Sequence, residues 1–441
     1  MPIKCPRFMN TSLKALLEGA ANNSCVELSG EYIVDQPIVV TNKSLHLRAC
    51  GCVTIKQAFD PAQEKPIIGF YDSGDTRLTG RFKFYGLDTP ALYDSLYPLT
   101  GPAKNNNNYS ALEFRNSPSI CVDNVYVEGK ITGITLDKCP ESTVGKVEGL
   151  GFADQLTSLS NWHILIRDTN SENVSQYRIT SDNFGSTVLC GAYSYKYFDS
   201  VPTKIKYLDS ITAKRIGDHG VYITSGSRNV ILDGYHFSDC KSSTVRVDET
   251  GATVKNGYVE DSNVGVSVRA DCVTVHSLKC DRSREAVRGS PNLQTGARPS
   301  NCDVDRVTLE DGVTAAVMGF FEKSSLSNIC VRSGSCFGVF LRGGYGVNLQ
   351  NLQGENTNRI LLLARGVRNL SARNVKAYSA SSAYLGHNAY AVLDNVDQGT
   401  FHDFYSDAGG VREISTSSDN LFYDLDSGVP DLIQGSAPRM L

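Results

Sequence analysis

The sequence predicts an all-β solenoid: a single-stranded right-handed parallel β-helix of about 22 residues per coil, with a short N-terminal capping helix. Three observations predict it. Short apolar-alternating stretches recur down the chain, each repeat holds a second strand-like stretch, and asparagine returns in register at one point of the repeat.

The first series reads VYIT (221–224), TVRV (244–247), GVSV (265–268), EAVRG (285–289), AAVMG (315–319), GVFLR (338–342), ILLLA (360–364) and AYLG (383–386). Most members lie about 20–24 residues apart, whereas propeller blades need about 40–50. The gap after 289 holds SPNLQTGARPSN (290–301), a polar Gly/Pro stretch that reads as an insertion. The second series includes NVILDGYHF, ATVKNGYVE, LSNICV and VRNLSARNV. The earlier half repeats the rhythm less cleanly in ALEF (111–114), GITL (133–136) and HILI (163–166). Asn328, Asn351, Asn374 and Asn395, with Asn124 and Asn256 earlier, predict a column of stacked amides at a bend. Asparagine tolerates the left-handed backbone, and its amide bonds to an identical amide one layer away.

The expected organisation is a capping segment (1–24), a β-helix (25–425) with insertions near 89–110, 190–207 and 290–301, and a tail (426–441). NTSLKALLEGA (10–20) carries the cap: a Ser/Thr/Asn start and apolar Leu13, Leu16 and Leu17 on one helical face. Such a helix covers the first coil, whose open backbone edge would otherwise recruit another chain.

Composition narrows the function. Of 441 residues, 41% are apolar and 20% charged, which suits a folded soluble chain. A net charge of −4 attracts no polyanion over long range, so nucleic acid is not an expected partner. No stretch is long and apolar enough to enter a membrane. MPIKCPRFMN lacks a secretory h-region, so synthesis in the cytoplasm is expected. Thirteen cysteines without a CxxC pair read as reduced, mostly buried core residues. Cys50 and Cys52 have no second pair nearby to complete a zinc site, and neither metal nor cofactor is expected.

The stretch LKALLEGAANNSCVELSGEYIVDQPIVVTNKSLHLRACGCVTI (13–55) resembles the opening of pectate-lyase-like right-handed parallel β-helices. There a short helix precedes an apolar strand, a Gly-x-Tyr turn, a second strand and a Gly-bearing third. That superfamily includes polysaccharide lyases, polygalacturonase-type hydrolases and the tailspike depolymerases of bacteriophages, the group this chain is most similar to. The lyases' Arg-x-Pro-x-x-Arg and the polygalacturonases' paired aspartates are absent, so the resemblance implies a carbohydrate substrate without fixing the reaction.

Site candidates come from laying the repeat out as a grid, with coils about 4.8 Å apart and alternate strand residues about 6.6 Å apart. Setting Val221, Val245 and Val266 inward places Tyr222, Arg246 and Ser267 in one outward column, and Thr224, Asp248 and Arg269 in the next. Asp218 and His219 lie on the turn before, and Glu285 and Arg288 extend the strip by a coil. Arginine suits an acidic sugar, while Tyr193 and Tyr195 on a long loop, and Trp162 beside His163, offer stacking faces. Two reactions fit. Inverting hydrolysis uses Asp218 as acid and Asp248 as base, and β-elimination uses Arg246 with His219 or Tyr222. A structural ion pair between Asp248 and its arginines explains the same residues without catalysis.

The expected function is therefore a tailspike-type protein that binds and cleaves a bacterial surface polysaccharide, with hydrolysis favoured over elimination. A non-catalytic receptor-binding or structural virion β-helix and a bacterial lyase or epimerase are the alternatives. Outward Ile360, Leu362 and Phe340 predict an apolar patch covered by another subunit, which agrees with a parallel homotrimer on a virion tail.

Overall fold

Valines and leucines spaced by one repeat stack into a continuous inner wall. In the second half of the chain, Val245, Val266, Val287, Val317, Val339, Leu362 and Ala391 face one another on successive parallel strands. All seven are fully buried. Burying each Val or Leu is worth about 1.5–3 kcal/mol, so the column stabilises every coil it crosses. The computed structural model describes residues 12–59, 65–86, 110–129, 131–151, 164–191, 206–224, 226–292, 295–334, 336–357, 359–378, 383–384, 387–407, 410–414, 419–427 and 439–440. The fold is a parallel β-helix, as the repeat predicts. The chain divides into two compact units, Met1–Ile231 and Leu232–Leu441. In each, a coil supplies one short strand and one longer bent strand, giving a short-strand sheet and a long-strand sheet.

The first unit begins with the helix Leu13–Gly19. Ser12 caps it by accepting a hydrogen bond from the Ala15 amide, and Leu13 and Leu17 are buried. The helix packs on the strands Ser24–Val34 and Ile38–Thr41, which is the cap the sequence predicts. The short-strand sheet then stacks Ile38–Thr41, Ile68–Tyr71, Ser110–Arg115, Thr132–Asp137, Ile164–Thr169, Ser186–Cys190 and Val221–Ile223 in parallel. Inside this unit the Lys206 ammonium lies 3.0 Å from the Asp168 carboxylate, both side chains being fully buried. Gln176 also donates to Asp168, at 3.3 Å.

In the second unit the long strands bend at one left-handed residue per coil. Register places Asn256, Ser277, Arg306, Asn328, Asn351, Asn374 and Asp403 in this column, with φ between 53° and 56°. Amides stack as predicted: Asn374 donates to Asn351 at 2.7 Å and Asn351 to Asn328 at 2.9 Å. Two predicted members fall elsewhere. Asn395 stands opposite Gly366 at another corner, because the next rung after Asn374 is Asp403. Asn124 pairs with Arg81 and Lys146 and is not left-handed. AYLG is not a coil strand either: Ala383–Tyr384 pairs antiparallel with His387–Asp394, which is the strand that continues the sheet.

Among the described residues no cysteine forms a disulfide. Six are buried, but Cys50, Cys52 and Cys272 are exposed, so the expectation of mostly buried thiols holds for half of those described.

Candidate functional site

On the short-strand sheet, Glu285 and Arg288 stand beside Val264 and Ser267 on the coil before and Ala315 and Met318 on the coil after. In the second unit the outer face of this sheet carries two bidentate ion pairs. Arg246 donates to both carboxylate oxygens of Asp248, at 3.0 and 2.6 Å. Arg288 does the same to Glu285, at 2.6 and 2.7 Å. The Glu285 carboxylate keeps the Arg288 guanidinium charged more firmly than usual, against the cost of its burial. Arg246 and Ser267 share one column, as the grid predicts, and Arg288 continues it on the next coil. Arg269 lies beyond it, and the Asn292 amide donates to the backbone carbonyls of Arg269 and Asp248 at 3.3 and 3.5 Å.

Asp218, His219 and Tyr222 belong to the first unit. The His219 Nε2 is 3.3 Å from the Asp218 carboxylate, and its ring lies 5.1 Å from that of Tyr222. Tyr222 stands beside Leu189 of the preceding coil and packs with Ile164 and Leu189. The predicted strip is less open than the sequence implies. His219, Tyr222, Thr224, Ser267 and Glu285 are all buried, and the side chains of Asp248 and Arg246 are only 8% and 15% exposed. Alternation assigns a side of the sheet, but not how deeply that side is covered. Tyr193, Tyr195, Trp162 and His163 lie outside the described residues.

The apolar residues read as a subunit patch are internal to the chain. Ile360 packs with Ala315, Phe337, Leu363 and Val392 on the outer face, and Phe340 joins them half-buried. Leu362 faces inward in the valine column. These residues therefore need no second copy to leave water.

Sequence reasoning missed the other cluster on this face. In the first unit, Glu113 and Arg115 on Ser110–Arg115 stand next to Thr135 and Asp137 on Thr132–Asp137. Tyr71 precedes Arg115 by one coil, and Arg167 follows Thr135 by one. The Tyr71 hydroxyl donates to Glu113 Oε2 at 2.8 Å, and Arg115 Nη2 donates to Oε1 at 2.5 Å. Arg115 Nε is 3.9 Å from the Asp137 carboxylate, so one guanidinium serves two carboxylates. Glu113 is 1% exposed, Asp137 28% and Arg115 38%. Burial raises the Glu113 carboxyl above its usual range, outweighing the pull of Arg115 and the Tyr71 hydrogen bond. Burial also brings the Arg167 guanidinium down to about 10, against the pull of Asp137 and Glu113. The signal was present: the grid applied to ALEF and GITL places Glu113, Arg115, Thr135 and Asp137 outward.

Paired carboxyls of unlike environment, a cation between them and a phenol on one oxygen are the chemistry of proton transfer. Among the described residues no group of three or more His, Cys, Asp or Glu side chains is placed to hold a metal ion.

No family model matches the chain, and no curated protein matches it. Solved structures do. The catalytic domain of a GH87 α-1,3-glucanase in complex with nigerose aligns over 97% of this chain and 68% of its own, with 9% identity and a TM-score of 0.44. PfbA, a surface adhesin of Streptococcus pneumoniae, aligns over 80% of this chain and 87% of its own, with 14% identity and a TM-score of 0.45. A siphovirus 9NA tailspike receptor-binding domain aligns over all of this chain and 75% of its own, with 11% identity and a TM-score of 0.32. At these identities the likeness concerns architecture, and the chemistry rests on the residues described above.

Proposed function

We propose that the chain binds a polysaccharide along the outer face of its short-strand sheet and cleaves it by glycoside hydrolysis, with Glu113 as general acid and Asp137 as general base. One observation carries this reading: a buried carboxyl that burial raises above its ordinary range, one coil from a second, more open carboxylate. The two are offset by one coil and two strand positions, about 8 Å between backbones, and the Arg115 guanidinium contacts both carboxyl groups. Inverting hydrolysis requires about 6.5–9.5 Å between the carboxyl groups themselves. In that step Glu113 gives its proton to the glycosidic oxygen as the C–O bond breaks. Asp137 takes a proton from the water that attacks the anomeric carbon on the opposite face. Arg115 balances the charge that passes between them.

The centre expected from sequence, Asp218 with Asp248, takes another role in this reading. Asp248 and Glu285 each have both carboxylate oxygens bound by one arginine, whereas Glu113 has one oxygen on Arg115 and the other on the Tyr71 hydroxyl. That same saturation favours a second reading, in which the chain only binds its glycan as a receptor-binding virion protein. A tailspike-type setting is the biological context of the proposal. A trimer draws no support from Ile360, Leu362 and Phe340, since two are buried and the third half-buried within one chain.

The test is incubation with a panel of acidic and neutral bacterial polysaccharides, following reducing ends and unsaturated uronates separately. New reducing ends without unsaturation, lost in Glu113→Gln and Asp137→Asn, support the proposal. Unsaturated products contradict hydrolysis, and full activity in Glu113→Gln contradicts the acid.

A further inference from the structure

A second glycan-binding feature stands in the second unit, at the corner where the strand Phe337–Tyr345 ends. Tyr345 pairs with Glu322 on the coil before and Arg368 on the coil after, and Arg368 bridges to Asp397 on the next. An acid, an aromatic ring, a base and an acid thus succeed one another on four neighbouring coils. Beside this column lies an open cleft of about 490 Å³, lined by Arg298, Glu322, Tyr345, Gly366, Arg368 and Gln398 among others. Tyr345 is 39% exposed, one of three large hydrophobic side chains that stand out into solvent among the described residues. Lys323 lies over its ring at 5.4 Å.

Two features point to a ligand rather than to packing. Arg298 lies over the Phe320 ring at 4.9 Å and pairs with Glu322 at 3.6 Å, while its side chain stays 43% exposed. Gly343, at φ 137°, adjoins this contact. Arg368 is 77% exposed and only loosely paired with Asp397, at 3.9 Å. The second feature is Gly366. Its φ of 62° is left-handed, and no atom lies within 4 Å of where its Cβ would sit. On the next coil the facing residue is Asn395, at φ 54°. The corner therefore accepts a side chain, and glycine at 366 leaves space in the cleft wall that asparagine would occupy.

We propose that this cleft binds an acidic oligosaccharide, with a pyranose ring stacked on Tyr345 and a uronate carboxylate taken by Arg298 and Arg368. The planar arginine fork matches a carboxylate bidentately, and an exposed phenol ring gives a sugar both an apolar face and a hydroxyl. The ligand class rests on the reading of the chain as a polysaccharide-acting protein, and the site is separate from the proposed hydrolytic centre.

Calorimetric titration of the full chain, carried in the Glu113→Gln background so that no probe is turned over, tests the site. The probes are short oligosaccharides of galacturonate, glucuronate and mannuronate, with a glucose oligosaccharide of equal length as the neutral arm. At least one acidic probe binds ten-fold or more tightly than the neutral one. Tyr345→Ala and Arg368→Ala each weaken it at least ten-fold, and Gly366→Asn weakens it with an unchanged melting temperature. Equal binding of acidic and neutral probes, no binding by any acidic probe, or unchanged binding in Tyr345→Ala overturns the assignment. Failure of the hydrolytic reading has a different signature, namely no turnover by the unmutated chain while the Tyr345-dependent binding persists.

Discussion

Two stretches of the same repeating face use the same residue types to opposite ends. In the second unit each carboxylate has its own arginine, and both oxygens of Asp248 and of Glu285 are taken. In the first, Arg115 is shared between Glu113 and Asp137, and a tyrosine hydroxyl supplies the other contact to Glu113. Arg115 contacts both carboxylates and Arg167 lies one coil on, yet burial still dominates at Glu113, whose carboxyl stands above the ordinary range. The difference lies in burial and in how a guanidinium is shared, rather than in residue type.

The largest effect that separates the two regions is kinetic. Glu113→Gln is expected to lower kcat by about 10²–10⁴, the usual worth of a general acid. Asp248→Asn is expected to raise KM with little loss of kcat, which steady-state kinetics on a common substrate resolves. Equal kcat losses would erase the distinction.

Another carboxylate shows what full burial does beside a single ammonium. Asp168 and Lys206 are sealed in the first unit, where burial raises the Asp168 carboxyl and the Lys206 ammonium opposes that rise. Lys206→Met is expected to cost about 3–5 kcal/mol by stranding a buried charge. Adding Asp168→Leu is expected to restore part of that, as measured by urea unfolding.

Stability against pH sharpens the contrast. Glu113 binds its proton more tightly folded than unfolded, so its contribution is full below the ordinary carboxyl value and is lost as pH rises through the folded value. Asp182 runs the other way. Burial pushes its carboxyl up, but hydrogen bonds from Arg215 and Lys214 bring it below the usual range. Its contribution is full above the ordinary value and is lost as pH falls through the depressed one. Unfolding curves across this range should show Glu113→Gln and Asp182→Asn removing slopes of opposite sign.

Much of the fold was legible because a solenoid writes its geometry as a period. The buried valine column, the cap at Leu13 and Leu17, and the amide stack at Asn328, Asn351 and Asn374 all follow from spacing. Asn395 went astray because coils vary in length, so a step of about the right size reached a different corner. Register on the outer face was also legible, as the alignment of Arg246 with Ser267 shows. Depth was not. Ile360 and Tyr222 are buried by packing against residues on other coils, which alternation along one strand does not encode. Glu113 was passed over because its strand lies in the half with the weaker repeat, although the same grid places it outward.

The smallest expected effect is the most selective. Tyr71→Phe removes one of the hydrogen bonds that lower the Glu113 carboxyl, so that carboxyl should rise further. The alkaline limb of the rate profile is then expected to move to higher pH, at a stability cost of about 0.5–1.5 kcal/mol. An unmoved limb separates Tyr71 from the reacting carboxyl.

The pairing of Glu113 with Asp137 is tested most directly by following the first sugar released, by proton NMR, from the unmutated chain and from Glu113→Gln. A two-carboxyl site spanning a single coil step, with one carboxyl raised by burial, yields the opposite anomer, and the glutamine variant yields almost none. A retained anomer, an unsaturated sugar, or undiminished release by the variant would place the chemistry elsewhere on the molecule.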